Sequence, residues 1–347
     1  MKSKNLVLVF LCSLSVMMMT GSNDRKVTPV SAMSDKQSQN VKSVVKLVVS
    51  RNPDKTQYEE DEFFDGTGLV VDAEYSDGSI EKNVDYKIRK KDALKPSDQK
   101  VTITYGGKFA FVSITVDYKG NNSRYSVENT PVLENAPLKG KTYYFLGSSV
   151  TYGQNSKGEG MSDFIAKRNG CNCIKEAVSG TTLFDREMQG KGESYVKRLN
   201  RYVADSSHVA KVDAFVLQLS TNDMYFPDYL GEVSGEDKFS KLDFDATTTY
   251  GAIETILATV KETWDCPVVI YTNNDIGNAT YAKMVENTGK ICSKWENVTL
   301  LDLYNDKEFN NITRGQRKLW LTDVVHPTRA GYRDWWTEKF ENVLKTL

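Results

Sequence analysis

The sequence predicts an α/β domain built on a parallel sheet and preceded by a smaller all-β module, and three observations predict it. Residues 141–146, 214–219, 267–271 and 298–303 are apolar runs without polar alternation, and helix-like stretches separate them. Strands buried on both faces look this way, and their alternation with helices implies parallel pairing. Residues 43–117 instead show short runs broken by turn signals, with almost no three-to-four helical spacing. The length of 347 residues corresponds to about two domains at roughly 150 residues each.

Composition bounds the partners. Apolar residues make up 39% and charged residues 26%, an ordinary globular balance. Lys and Arg number 45 against 46 Asp and Glu, for a net charge of −1, so no electrostatic footprint for nucleic acid or an anionic lipid surface is present. Lys2 and Lys4 precede an uncharged stretch, residues 5–21, with an apolar core at 6–19. That layout is a secretory signal, so residues 1–32 are expected to be a targeting segment and the protein to be exported. Cleavage after Ala32 has rivals at Gly21 and Ser22, and an uncleaved membrane anchor is the alternative. Bulky Leu11 before Cys12 argues against a lipid-modified cysteine. Cys171, Cys173, Cys266 and Cys292 then remain, compatible with one or two bridges that sequence does not assign. The one-residue gap in Cys171-Asn-Cys173 and a total of two histidines argue against a structural metal.

In the front module, residues 44–49 open the strands and residues 68–75 lead into an Asp77-Gly78 turn. Residues 101–105 alternate across Gly106-Gly107 into 109–116, a hairpin pattern. About seventy-five residues of this kind suggest a small sandwich. Tyr58, residues 63–65, 68–71, 75–78 and 101–107 together resemble a bacterial immunoglobulin-like domain over residues 43–117. The resemblance implies a spacer that orients its neighbour or, second, a module that contacts carbohydrate or cell wall. Residues 118–140, with Pro131, Pro137 and Gly140, read as a linker that lays Val132, Leu133 and Leu138 on a domain. The second domain follows over 141–347, with helices expected near 193–203, 246–263, 278–295 and 329–345.

Chemistry in a parallel α/β sheet is sought beyond the carboxyl ends of its strands. Ser149 follows the first strand, Gly180 the second and Asn222 the third, while Asp323-Val-Val-His326 precedes the final helix. Hydrolysis through serine needs a base for the hydroxyl proton, a carboxylate to hold that base, and donors for the oxyanion. The only other histidine, His208, sits in a polar connector, so with two histidines in all a mechanism of this type nearly forces His326 as base. Each feature alone is a common accident: a Ser-Ser pair at a strand end is usually a turn, and Asn222 or Gly180 a loop residue.

In their order, the four blocks resemble the SGNH (GDSL-type) hydrolase family of serine esterases over residues 141–347. That resemblance implies a flavodoxin-like three-layer α/β fold. It implies Ser149 as nucleophile, His326 as general base and Asp323 as its orienting carboxylate. The backbone N–H groups of Ser149 and Gly180 and the side-chain amide of Asn222 would form the oxyanion hole. Two positions depart from the family pattern. Ser148 stands where an acid usually precedes the nucleophile, and Ser220 where a glycine is expected. These departures should alter substrate preference or loop geometry before catalysis, and Ser148 as nucleophile is the weaker alternative. Tyr225 and Phe226, with Tyr229, follow the Asn222 loop and are expected with Ser148 to line a substrate cleft. Tyr332, Trp335, Trp336, Phe340 and Leu344 fall at helical spacing and are expected in the core.

The resulting expectation is an exported esterase that removes a small acyl group, acetyl above all, from a carbohydrate or cell-wall glycan. Its partner is the acylated carbohydrate, with glycan contact through the immunoglobulin-like module, and it needs no metal or organic cofactor. Lipid ester hydrolysis is the runner-up among enzymes. The alternative from another class is a non-catalytic surface adhesion or glycan-binding protein on a hydrolase scaffold. Oligomeric state is not legible in the sequence.

Overall fold

The computed structural model describes residues 41–186 and 192–347; the expected signal segment, residues 1–32, lies outside the described residues. The front of the chain builds β1 (Val44–Arg51), β2 (Gln57–Glu59), β3 (Val70–Tyr75), β4 (Ile80–Glu81), β5 (Lys87–Ile88), β6 (Lys100–Tyr105), β7 (Lys108–Ser113) and β8 (Thr115–Asp117). They assemble as two antiparallel sheets, β1-β3-β4 and β5-β6-β7, and a parallel β2-β8 pair. Period-two alternation sends Val101 and Ile103 of β6 and Ala110 and Val112 of β7 into one core with Leu47, Val71 and Ala73. The β6-β7 hairpin turns at Gly106 and Gly107, both at positive φ (53° and 75°), as a tight two-residue turn requires.

The run 109–116, expected as one strand, is two. The Ile114 N–H turns to Gln99 O at 3.0 Å and the Thr115 N–H to Thr56 O at 2.9 Å, so β8 leaves the hairpin and pairs with β2. Val112, Ile114 and Val116 stay buried in alternation across the switch, which is why the pattern carried no sign of it.

The second half contributes β9 (Thr142–Gly147), α1 (Ser149–Tyr152), α2 (Met161–Asn169), β10 (Asn172–Ala177), α3 (Tyr195–Ala204), β11 (Ala214–Gln218), α4 (Thr249–Thr263), β12 (Val268–Tyr271), α5 (Ala279–Lys294), β13 (Val298–Leu301), α6 (Lys307–Asn310), α7 (Arg314–Trp320), α8 (Arg329–Gly331) and α9 (Thr337–Leu344). All five strands pair in parallel in the order β10-β9-β11-β12-β13. Counted within the sheet, this is the doubly wound 2-1-3-4-5 order of flavodoxin-like folds. Successive side chains point to opposite faces, so each strand feeds two cores. Tyr144, Leu146, Phe215, Leu217 and Ile270 pack with Leu199 of α3, Ile253 and Leu257 of α4 and Met284 of α5. Tyr143, Phe145, Val216, Val269 and Tyr271 pack with Phe164 and Ile165 of α2 and with the last helix. That helix carries a π-helical turn, Tyr332–Trp336, between α8 and α9. The wider turn lets the adjacent Trp335 and Trp336 both be buried alongside Tyr332 and Phe340.

Four helices were absent from the sequence expectation, and two of them, α1 and α6, are single turns of four residues. α2 is nine residues long and ends at Gly170, too short to display a period; α7 buries no residue, so it has no apolar stripe. Residues 118–140, expected as a linker, are packed. Gly120, Asn121, Tyr125 and Leu138 are buried, whereas Val132, expected to lie on a domain, faces solvent. The Asn121 side chain donates to Asn155 O at 2.7 Å and accepts from the Arg329 N–H at 3.1 Å. Lys318 of α7 meets Asp61 of the front module at 2.8 Å, and Ser43–Leu347 forms one compact unit.

Truncating a side chain at the centre of the sheet should therefore cost far more than truncating a surface one. Leu217→Ala is expected to lose about 2–5 kcal/mol of unfolding free energy, and Leu242→Ala, at 97% exposed, under about 0.5 kcal/mol. Urea unfolding of both variants checks the difference; equal losses would place the core elsewhere.

Candidate active site

The carboxyl ends of β9, β10, β11 and β12 converge on one edge of the sheet, and each supplies part of the site. The chain turns from β9 into α1 through Gly147 and Ser148. A Cβ on Gly147 would lie 1.7 Å from the Thr151 hydroxyl oxygen and 2.7 Å from Gln218 Oε1, so only glycine lets the turn close on the end of β11. Gln218 Oε1 accepts from the Ser148 N–H at 2.8 Å and the Thr151 hydroxyl at 2.7 Å. Having donated there, Thr151 accepts from the Tyr271 hydroxyl at 2.5 Å. All of these groups are buried, where a fully satisfied polar network holds a single geometry.

The turn directs Ser149 outward and Ser148 inward. Ser149 Oγ lies 2.8 Å from His326 Nε2. His326 Nδ1 lies 2.9 Å from Asp323 Oδ2 and 3.1 Å from Oδ1. With Nδ1 protonated toward the carboxylate, Nε2 is left as acceptor for the serine proton. The i, i+3 spacing works because Asp323 Oδ1 also accepts the backbone N–H groups of Val325 and His326, each at 2.8 Å. Burial pushes the Asp323 carboxyl up, but the His326 ring and these two N–H donors outweigh it and hold the group below its ordinary value. Asp323 is thus an anion facing the imidazole.

Ser148, expected to line the cleft, is corrected here: it is fully buried, with its N–H on Gln218. Consecutive residues of the turn cannot face the same side, so Ser148 reaches neither solvent nor His326. His208 is likewise apart, its Nδ1 2.7 Å from Asp205 O in an exposed connector.

Gly180 and Asn222 belong to adjoining loops. Asn222 Nδ2 donates to Thr181 O at 2.8 Å, which uses one of its two amide hydrogens. Ser220, the departure from the family pattern, has its hydroxyl oxygen 3.1 Å from the Asn222 N–H and 3.4 Å from Thr181 O, so it ties the two loops together. The buried Arg198 guanidinium donates to Gly147 O at 2.7 Å, Glu176 O at 3.1 Å and the Thr181 hydroxyl at 3.3 Å. It thereby joins the ends of β9 and β10 to the Gly180 loop. Tyr225 is exposed. Phe226 instead packs edge-on against Phe184 at 5.7 Å between ring centres, so much of it serves the loop core.

Several residues that build the site were missed in the sequence. Asn155 Nδ2 donates to the Thr322 hydroxyl at 2.8 Å and reaches Asp323 Oδ2 at 3.4 Å. Asn273 and Asn274, after β12, hold the His326 loop through Val325 O and Val324 O, each at 3.1 Å. Gln218 and the Asn273-Asn274 pair did carry a signal, as polar residues at the ends of apolar strands; Arg198 and Asn155 carried none. Among the described residues no group of three or more His, Cys, Asp or Glu could hold a metal ion. The four described cysteines are free, and the Cys171 and Cys173 sulfurs lie 3.8 Å apart.

Residues 145–333 match the GDSL-like lipase/acylhydrolase family. Over 126 residues, 35% of this chain, the sequence is 32% identical to a protein named pectate lyase L from Thermoclostridium stercorarium, of whose length the match spans about a tenth, 10%. Among solved structures it is similar to a member of the lipolytic G-D-S-L family from Veillonella parvula, with 16% identity over 60% of this chain and 100% of that one and a TM-score of 0.43. It is also similar to a carbohydrate acetylesterase family member from Sinorhizobium meliloti, with 16% identity over 59% and 98% and a TM-score of 0.36.

Asp223, beside Asn222, is a fully buried carboxyl that accepts from the Leu183 N–H at 3.1 Å and the Thr249 hydroxyl at 2.9 Å. Burial raises it from 3.8 to about 6 against those bonds. The folded state therefore binds this proton more tightly than the unfolded chain, and the stability it contributes is full below about pH 4 and lost as pH rises through about 6. Relative to Asp223→Asn, the wild type should lose stability by a few kcal/mol between about pH 4 and 7 and hold a constant difference above. Thermal unfolding of the pair across that range checks it; a difference independent of pH would contradict the raised carboxyl.

Proposed function

The chain belongs to the GDSL-like lipase/acylhydrolase family and is a carboxylic ester hydrolase, and from that premise we propose that it is a secreted serine esterase that removes small O-acyl groups, chiefly O-acetyl, from a carbohydrate or cell-wall glycan. One observation carries the mechanism: the unbroken chain of contacts from Ser149 Oγ through His326 to Asp323, at 2.8 and 2.9 Å.

In the proposed reaction Ser149 Oγ attacks the ester carbonyl carbon while His326 Nε2 takes its proton. The carbonyl oxygen becomes an oxyanion that accepts from the Ser149 and Gly180 N–H groups and from the second amide hydrogen of Asn222. Removing one such donor raises the barrier by about 2.7–4 kcal/mol. Asp323 stays ionised and stabilises the imidazolium, a role its lowered pKa supports. Collapse breaks the carbon–oxygen bond to the sugar, and His326 returns the proton to the departing hydroxyl. Water then attacks the acyl-serine with His326 again as base, releasing the acid. The side chains and water close the cycle.

The layout of residues 1–32 supports export. Two antiparallel sheets around a single core support the reading of residues 43–117 as an immunoglobulin-like module that orients its neighbour. The stretch shared with a protein named pectate lyase supports a polysaccharide as the acyl carrier. Exposed Tyr225, next to the Asn222 loop, is the aromatic surface best placed to meet it.

Acetate release from p-nitrophenyl acetate and from a panel of acetylated polysaccharides tests the proposal. Wild type is expected to release acetate from both, and Ser149→Ala to lose at least about 10⁴-fold in kcat while melting as the wild type does. Undiminished release by Ser149→Ala would sink the serine mechanism. A wild type that releases nothing yet binds one polysaccharide would instead favour the scaffold reading.

A further inference from the structure

The outer face of the β5-β6-β7 sheet breaks the inside-apolar, outside-polar pattern that the same strands obey on their inner face. Phe109 and Phe111 of β7 point to solvent at 52% and 54% exposure. They stand opposite Thr104 and Thr102 of β6, with Lys100 opposite Ser113 and Lys87 of β5 opposite Thr104. Two residues of strand separate the rings by roughly 6.6 Å along the sheet. The Arg89 guanidinium sits 5.2 Å from the centre of the Phe109 ring, and the Lys100 ammonium 4.4 Å from that of Phe111.

The charge on this face is one-sided. β5, β6 and β7 contain no Asp or Glu. The module's nearby Lys90 and Lys82 are paired with Asp98 and Asp72, but among the described residues Lys87, Arg89 and Lys100 have no carboxylate partner. In a chain of net charge −1, three uncompensated cations around two exposed aromatic rings form a surface complementary to an anion that also has apolar faces.

We propose that this face binds an acidic polysaccharide. A run of uronate-bearing sugars lies along the Phe109–Phe111 strip, with the C–H faces of its rings on the phenyl groups, its carboxylates on Arg89, Lys100 and Lys87, and its hydroxyls on Thr102 and Thr104. Ring stacking and charge-assisted bonds are the two interactions the face offers side by side. Two rings fall far short of the roughly 800 Å² per partner that a stable protein interface buries, whereas an extended glycan needs only a strip. The site is separate from Ser149 and goes beyond the esterase reading, so either can fail without the other.

Native gel electrophoresis of the purified protein through polygalacturonate, through neutral galactan and through dextran sulfate tests it, with p-nitrophenyl acetate hydrolysis as the control. Wild type should be retarded by polygalacturonate and not by galactan. Phe109→Thr/Phe111→Thr keeps strand-forming residues, and it and Arg89→Gln/Lys100→Gln should each weaken binding about tenfold with ester hydrolysis unchanged. Absence of retardation in the wild type overturns the proposal. So does binding that survives the phenylalanine substitutions, or retardation by dextran sulfate that matches polygalacturonate and is indifferent to them, since charge alone would then suffice. A sedimentation dimer that the phenylalanine variant dissociates also overturns it, because a second copy would be the occupant.

Discussion

The contact on which the site depends is the closure of Thr151 and Gln218 over Gly147. A backbone carrying any side chain there would have to move away from β11, because the space is taken by the Thr151 hydroxyl and the Gln218 amide. With that closure the Ser148 N–H is committed to Gln218, the turn has one conformation, and Ser149 Oγ has one direction. Buried hydrogen bonds enforce this more strictly than packing alone, since any rearrangement leaves an unpaired polar group out of water.

The partner of Ser149 arrives from the far end of the chain, and its placement is as constrained. The loop carrying Asp323 and His326 is pinned by Asn273 and Asn274 at the end of β12. It closes on itself where the Thr322 N–H meets His326 O at 3.0 Å, and it is braced from the side by Asn155. Asn155 is held in turn through its carbonyl by Asn121, which follows the last strand of the front module. The β-rich front is therefore tied by two hydrogen-bond steps to the loop that bears the imidazole. Tyr118, between that strand and Asn121, is near enough to Asp323 for the carboxylate to add to the rise that burial causes in its phenol pKa.

Much of this arrangement could be read from residue order because it follows from periodicity. Runs such as 141–146 and 214–219 had to be buried strands, and loops after them had to gather at one edge of a parallel sheet. Ser149, Gly180 and Asn222 were legible as strand-end residues, and Asp323 with His326 as a pair with nearly forced roles. The rest was invisible for physical reasons. Ser148 was expected to line the cleft because the direction each serine takes out of the turn is not written in a Ser-Ser pair. Nothing in the helical stretch near 193–203 sets Arg198 apart from the other cations there, yet it is buried with its guanidinium on Gly147 O. The packed segment 118–140 looked like a linker because irregular backbone held by side-chain hydrogen bonds has no period at all, and α2 and α7 were too short or too exposed to show one.

The central claim is that Ser149, activated by His326, is the nucleophile, and covalent trapping tests it most directly. Incubating the folded protein with a fluorophosphonate and mapping the adduct by peptide mass spectrometry should give one modification, on Ser149. Labelling should disappear in Ser149→Ala and be strongly slowed in His326→Ala. An adduct on Ser148 or elsewhere, or labelling of Ser149 at the same rate without the imidazole, would contradict the account.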